Sequence, residues 1–172
     1  MTGVLFVAGS VDDEVNGWLE RRRRLGQDLR DEVWDGVYHV APYEHARNGI
    51  VAWALGLAVS GPALAAGLVP GGSFNLGDPD DFRVPDLGFH RAPVTPALYM
   101  PTAALVVEVL SPGDETIAKL PFYARRGVQE VWVVDPLART ISCHRSGGAY
   151  DDSPLLGLDL TELAAGLDWP VS

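Results

Sequence analysis

A chain of 172 residues, 47% hydrophobic and 21% charged, has an ordinary globular composition and room for one well-buried core rather than two full domains. Its formal net charge of −10 repels phosphate backbones at long range, which argues against non-specific nucleic-acid binding while leaving room for a local basic groove. A single cysteine, Cys143, excludes an intrachain disulfide and a cysteine-based zinc site.

The N-terminal "MTGVLFVAGS" has no basic region ahead of its short apolar run and soon meets Asp12, Asp13 and Glu14. It does not read as a secretory leader, so a cytoplasmic location is expected. Asp12 or Asp13 can cap a first helix whose apolar side is Val15, Trp18, Leu19, Leu25 and Leu29. Arg21 to Arg24 spread around that helix and read as a solvated face before they read as a phosphate-steering patch. In "DEVWDGVYHVAP", Asp35-Gly36 is a hairpin turn between two short strands, with Trp34 expected in the core.

A second helix is expected from about Tyr43 to Ser60, stopped by Gly61-Pro62, with His45 near its start as a cap or packing residue. It lies in a segment, Gly49 to Gly77, that carries no charge at all. By length such a segment could span a bilayer. Gly56, Ser60, Gly61, Pro62 and Gly67 interrupt it, however, and no basic anchor beyond Arg47 flanks it. A helix packed within the core is the simpler expectation, with no membrane.

"LVPGGSFNLG" and "FRVPDLGF" read as short strands around the acidic turn Asp78-Pro79-Asp80-Asp81, and "ALVVEVL" as the central strand. "DETIAKLPFYARRG" reads as a helix capped by Asp114 and ended by Gly127. Pro121 within it costs about 3 kcal/mol, so a kink or a late start is expected. "EVWVVD", with Trp132 in the core, and "TISCHR" are strands across a turn at Asp135-Pro136, and a last helix starts near Asp159. No repeat or charged linker divides the chain. The pattern is one α/β domain over residues 1–172, a mixed sheet covered on both faces.

Glu108 is the anomaly. The strand period places Val106, Glu108 and Leu110 on one face and Leu105, Val107 and Val109 on the other. A lone ionised carboxylate in a strand buried on both faces costs several kcal/mol unless it is paired. A salt bridge to Lys119 or an arginine on the next helix would be a purely structural answer. A chemical answer comes from its company: Asp86 after Pro85, Lys119 on the helix that follows, and Glu32 at the entrance of the early hairpin. Two or three carboxylates and a lysine can hold Mg²⁺ and position a water against a phosphoryl group, the apparatus of phosphodiester hydrolysis. Tyr123 shares the helical face of Lys119, where it could hold the lysine or merely pack. Arg125 and Arg126 could approach a substrate strand, or pair with Glu130 or other acids.

The blocks "DEVWDGVYHVAP", "VPDLGF" and "LVVEVLSPGDETIAKLPFYARRGVQEVWVVDP" together resemble the Uma-type family, whose members are described as restriction endonucleases, within the PD-(D/E)xK nuclease superfamily. The resemblance runs from about Glu32 to Arg145. It implies a restriction-endonuclease-like core, a mixed β-sheet flanked by α-helices, and a Mg²⁺-dependent endonuclease, with Mn²⁺ as a substitute. By that resemblance Glu32, Asp86, Glu108 and Lys119 are the catalytic set, Asp86 and Glu108 hold the metal, and His45 matches a histidine of the family pattern. The superfamily's usual strand lysine is replaced here by Leu110, so the helical Lys119 must reach the same space. The implied partner is nucleic acid, DNA first, and a homodimer through an edge strand or an apolar helix is possible. The competing expectation is a nuclease-like fold acting as a binding or assembly module with little or no catalysis, which the charge of −10 favours. A small nucleotide or a structured nucleic acid would ask for less basic surface than a long strand. A basic concavity around Lys119 would favour a long nucleic acid.

Overall fold

The computed structural model describes residues 4–7 (backbone), 13–41, 45–111, 113 and 115–170. The chain runs β1 (Val4–Val7), α1 (Asp13–Arg24), β2 (Glu32–Trp34), β3 (Val37–Val40), α2 (Ala46–Ala65), β4 (Leu68–Gly71), β5 (Asn75–Asp78), β6 (Asp81–Arg83) and β7 (Leu87–Arg91). It continues with β8 (Tyr99–Met100), β9 (Leu105–Val109), α3 (Thr116–Arg125), β10 (Glu130–Asp135), β11 (Thr140–Arg145), β12 (Gly148–Tyr150), β13 (Asp152–Ser153), β14 (Leu158–Asp159) and α4 (Leu160–Gly166).

Two mixed sheets result, one in the order β1-β3-β2-β6-β5-β8 and the other β12-β11-β10-β9-β7-β4. The β2–β3 hairpin turns where expected. Asp35 and Gly36 both take positive φ, 48° and 82°, the geometry whose twist suits a two-residue hairpin. β9 and β10 are parallel neighbours joined through α3, and β10 returns antiparallel into β11. Asp135 closes that turn by accepting from the N–H groups of Leu137 and Ala138.

β9 is the partition of the fold. Leu105, Val107 and Val109 pack with Val51, Leu55 and Val59 of α2 and with Phe89, Trp132 and Leu160. Val106 faces the other way, onto Leu76, Phe122 and Tyr123. The alternation read from the sequence therefore puts Glu108 on the α3 side.

Several expectations need correction. α2 begins at Ala46, after His45 caps it by accepting from the Arg47 N–H, and runs through Pro62 to Ala65 instead of stopping at Ser60. Proline removes the donor that would reach the carbonyl of Ala58, but Ala58 is exposed, so water can take that acceptor. The chain leaves the helix at Gly67, with φ +73°. α2 is also not packed on all sides: only one face enters the core. α1 buries none of its residues, Trp18 is exposed, and Leu25 and Leu29 lie beyond its end and are exposed too. α3 starts at Thr116 without delay despite Pro121. Residue i−4 from that proline is Ile117, 59% exposed, so its carbonyl too can be hydrated. The proposed caps Asp12 and Asp114 lie outside the described residues.

Glu130 is not a partner for the α3 arginines. It is buried and accepts from Trp132 Nε1 at 3.0 Å, Ser153 Oγ at 2.6 Å and the Leu155 N–H at 2.9 Å. It thereby pins the β13–β14 region to the edge of β10. Glu130→Ala strands these buried donors, at about 1–3 kcal/mol for each one left unsatisfied. Urea denaturation should show a loss of about 3 kcal/mol, and hydrogen exchange should show residues 151–166 losing protection first.

Candidate active site at the seam of the two sheets

The four residues singled out from the sequence converge, although they come from four separate segments. Glu32 lies on β2 in the first sheet and Glu108 on β9 in the second. Asp86 lies on the three-residue connection, 84–86, by which the chain passes from β6 in one sheet to β7 in the other. Lys119 reaches in from α3. Its Nζ is 2.9 Å from Glu32 Oε1 and 3.2 and 3.4 Å from the two oxygens of Glu108.

The connection is held by hydrogen bonds that also fix the acids. The Val84 N–H donates to Glu32 Oε1 at 2.8 Å, Pro85 has no N–H to satisfy, and the Asp86 N–H donates to the Val107 carbonyl at 3.0 Å. Asp86 Oδ2 accepts from the Val109 N–H at 2.8 Å. Asp86 thus grips β9 on either side of Glu108, which sets the two carboxylates beside one another. Its Oδ1 accepts from Arg30 Nη1 at 2.9 Å.

Glu32 is oriented from the other side by Trp34, whose indole Nε1 donates to Oε2 at 2.6 Å. Trp34 is therefore a site residue more than a core residue. Its ring stacks on His39, which faces Glu32 across the β2–β3 ladder. His39 Nδ1 lies 3.7 Å from Glu115 Oε2, and burial holds the imidazole below its usual range against the pull of Glu115 and Glu32. Arg83 is buried against the rings of Trp34 and Phe122, at 4.5 and 4.1 Å, and donates to the Val33 carbonyl and to Asp81. It wedges β2 against α3, the two elements that carry Glu32 and Lys119.

Tyr123 holds the carboxylate rather than the lysine, its hydroxyl donating to Glu108 Oε1. Burial raises the phenol well above its usual range and the neighbouring Glu108 adds to this, so it remains a donor. Burial pushes the Glu108 carboxyl up to about 8. The Lys119 ammonium and the Tyr123 hydroxyl pull it down, while Asp86 and Glu32 push it further up. Burial also raises Asp86, against the Val109 N–H, Arg30 and Lys119.

Among the described residues, no three His, Cys, Asp or Glu side chains converge as a ready-made metal cage. The donor set still leaves room for a cation. Three carboxylates, Glu32, Asp86 and Glu108, face two cations, Lys119 and Arg30. One negative charge remains at a desolvated place, where a proton on Glu108 or a divalent ion can neutralise it.

The other candidates settle in simpler roles. Arg22 docks α1 through a two-pronged bond to Asp31, at 2.8 and 2.9 Å, while Arg21, Arg23 and Arg24 stay exposed. Arg126 pairs with Asp78 at 2.7 Å, and Arg125 lies 3.9 Å from Asp35. Arg30, Trp34, Arg83 and Asn48 were not singled out for the site from the sequence. Asn48 reaches back from α2 to bond Val109 O and Ser111 Oγ just past Glu108. The run Arg30-Asp31-Glu32 was a usable signal, because its three charges find Asp86, Arg22 and Lys119 in turn.

A crystal structure of "a putative nuclease belonging to DUF820" from Anabaena variabilis superposes with a TM-score of 0.61 at 16% identity, covering 78% of this chain and 89% of that one. At that identity the likeness speaks for the fold. No curated protein matches the chain. The Uma2 family model, described as "Putative restriction endonuclease", matches residues 18–171, wider at both ends than the motif blocks. Nearly the whole chain is thus accounted for by one family model, and the protein belongs to the Uma2 family.

Proposed function

We propose that this protein is a metal-dependent phosphodiesterase acting on nucleic acid, DNA in the first place, with Mg²⁺ or Mn²⁺ as its cofactor. The observation that carries the proposal is an excess of acid among the described residues: three carboxylates on two cations at the seam between the sheets. Asp86 and Glu108 would hold the ion. When bound, it would lower the pKa of a water and polarise a phosphoryl oxygen.

The chain's own groups do the rest. Tyr123 and the Val109 N–H fix the two carboxylates, so their oxygens need no reorganisation. Lys119, held by Glu32, would donate to a phosphate brought to these carboxylates and stabilise charge gathering on its oxygens. Arg30, paired with Asp86 and 36% exposed, is the cation at the edge of this place that would meet a substrate phosphate. A second function, a nuclease-fold binding module, is favoured by one fact: both glutamates are already ion-paired to Lys119. Metal titration separates the two.

Mn²⁺ or Mg²⁺ added to the full chain at low salt should bind with release of a proton. Affinity should rise about tenfold per pH unit up to roughly pH 8 and then level off, as expected when the ion displaces a proton from Glu108. Glu108→Gln should abolish this binding while staying folded. A pH-independent affinity, or one unchanged in Glu108→Gln, would exclude Glu108 as the ligand. On plasmid or single-stranded DNA, Lys119→Met should lower cleavage at least about 100-fold. Wild-type protein that binds metal and cleaves nothing would favour the binding module.

Stability checks the same electrostatics. The folded Glu108 carboxyl titrates above its usual 4.5, at about 8. Its contribution to stability is therefore complete below about pH 4.5 and is lost as the pH climbs to 8. Glu108→Gln, which cannot ionise, should gain on wild type over that window in urea titrations at pH 5 and pH 9. Lys119→Met leaves two buried carboxylates without their cation and should cost about 3–5 kcal/mol at pH 8.

A further inference from the structure

α2 has two apolar faces, and only one is used by the fold. Asn48, Val51, Ala52, Leu55, Val59 and Ala63 enter the core. On the opposite side Ile50, Trp53, Leu57 and Leu64 point to solvent, 53, 70, 62 and 62% exposed. Their spacing of three, four and seven residues keeps them in a single stripe along the helix. The smaller exposed residues around them, Ala46, Gly49, Ala58, Gly61 and Ala65, carry no charge either. An exposed tryptophan and three large aliphatics in line are more than the scattered apolar residues normal on a surface.

We propose that this stripe is a homodimer interface, two copies of α2 packing antiparallel about a two-fold axis at Leu57. The pattern is self-complementary about that residue, as an isologous interface requires. With Leu57 on the axis it meets its own copy. Ile50 and Leu64 lie seven residues to either side and meet each other across the pair. Trp53 and Gly61 lie four residues to either side, so the largest side chain of the stripe falls opposite a residue with none. Gly61 offers the needed space, since a Cβ built there meets nothing within 4 Å.

Charge and area select a second copy over other occupants. A chain of net charge −10 repels its own copies over most of its surface. α2 has no acidic residue in its first turn and no basic residue in its last, and no charge lies between Gly49 and Gly77. Two copies can approach on this face without opposing like charges. A large apolar residue carries about 200 Å², so Ile50, Trp53, Leu57 and Leu64, at 53, 70, 62 and 62% exposed, present roughly 500 Å² per protomer. Two such faces, with the small uncharged residues around them, reach the roughly 1,000 Å² expected of a specific interface. The stripe lies on the far side of the β9 sheet from Glu108, so this dimer leaves both candidate active sites open. The inference stands independently of the catalytic proposal.

The test is sedimentation equilibrium of the full chain at micromolar concentration, with Trp53→Glu and Leu57→Glu beside wild type. Wild type should have twice the chain mass. Each variant should weaken association at least about a hundredfold with unchanged circular dichroism, because both side chains are exposed and not part of the core. Disulfide trapping checks the register: Leu57→Cys should cross-link to its own copy on oxidation, while Leu64→Cys alone should not. The native Cys143 is buried and will not interfere. A wild type that is monomeric throughout, a dimer indifferent to both glutamates, or Leu64→Cys cross-linking as readily as Leu57→Cys would each overturn the proposal. So would a monomer that sediments with phosphatidylcholine vesicles, which would assign the stripe to lipid.

Discussion

One ammonium group, Lys119 Nζ, lies between carboxylates that belong to different sheets. Removing a carboxylate from water costs several kcal/mol, and a single cation cannot offset two of them. The surrounding groups make up the difference: an indole and a backbone N–H for Glu32, a phenol for Glu108, a backbone N–H and a guanidinium for Asp86. Those partners in turn fix the path of β2, the 84–86 connection, β9 and α3. The seam is where the two sheets are tied together, and it is also where the chemistry would take place.

Glu130 is the internal control. It is as deeply buried as Glu108, yet its partners among the described residues are neutral N–H and O–H donors, and no lysine or arginine hydrogen-bonds to it. Nothing about Glu130 calls for an ion. Glu108 differs in having like charges as neighbours, Asp86 and Glu32, which raise its pKa along with burial. A fold seeking stability alone would not gather three acids around one lysine and one arginine. That excess of acid is the observation on which the proposal of a bound cation rests.

Much of this was legible in the chain because the signals were local. Asp35-Gly36, Gly127, Asp135 and Asp159 each do what their type does best, and the two-residue period of "LVVEVL" gave the right face for Glu108. The four site residues came from the motif blocks, and their convergence bears on the same physics. What escaped was long-range. The charged run Arg30-Asp31-Glu32 marks a place that needs partners but does not say that Arg30 pairs 56 residues away with Asp86, and nothing near Trp34 distinguishes an indole in the core from one that orients a carboxylate. Pro62 does not end α2 and Pro121 does not delay α3, for a related reason. A proline costs a helix most where the carbonyl it leaves unpaired is also kept from water, and sequence does not say that residues 58 and 117 are exposed.

The same two-residue alternation that isolates Glu108 also divides the molecule by role. Even positions of β9 face α3 and the seam, odd positions face α2. Because α2 must present Val51, Leu55 and Val59 to the odd positions, the helical period turns Ile50, Trp53, Leu57 and Leu64 outward, away from the sheet. Beyond Arg47 in its first turn, burial keeps charge off the inner face of that helix, but on its outer face burial makes no such demand. An acidic chain in which exposed positions could freely take glutamate or aspartate nevertheless leaves this one surface apolar. The core explains half of α2; the other half is what the proposed two-fold pairing with a second copy would cover.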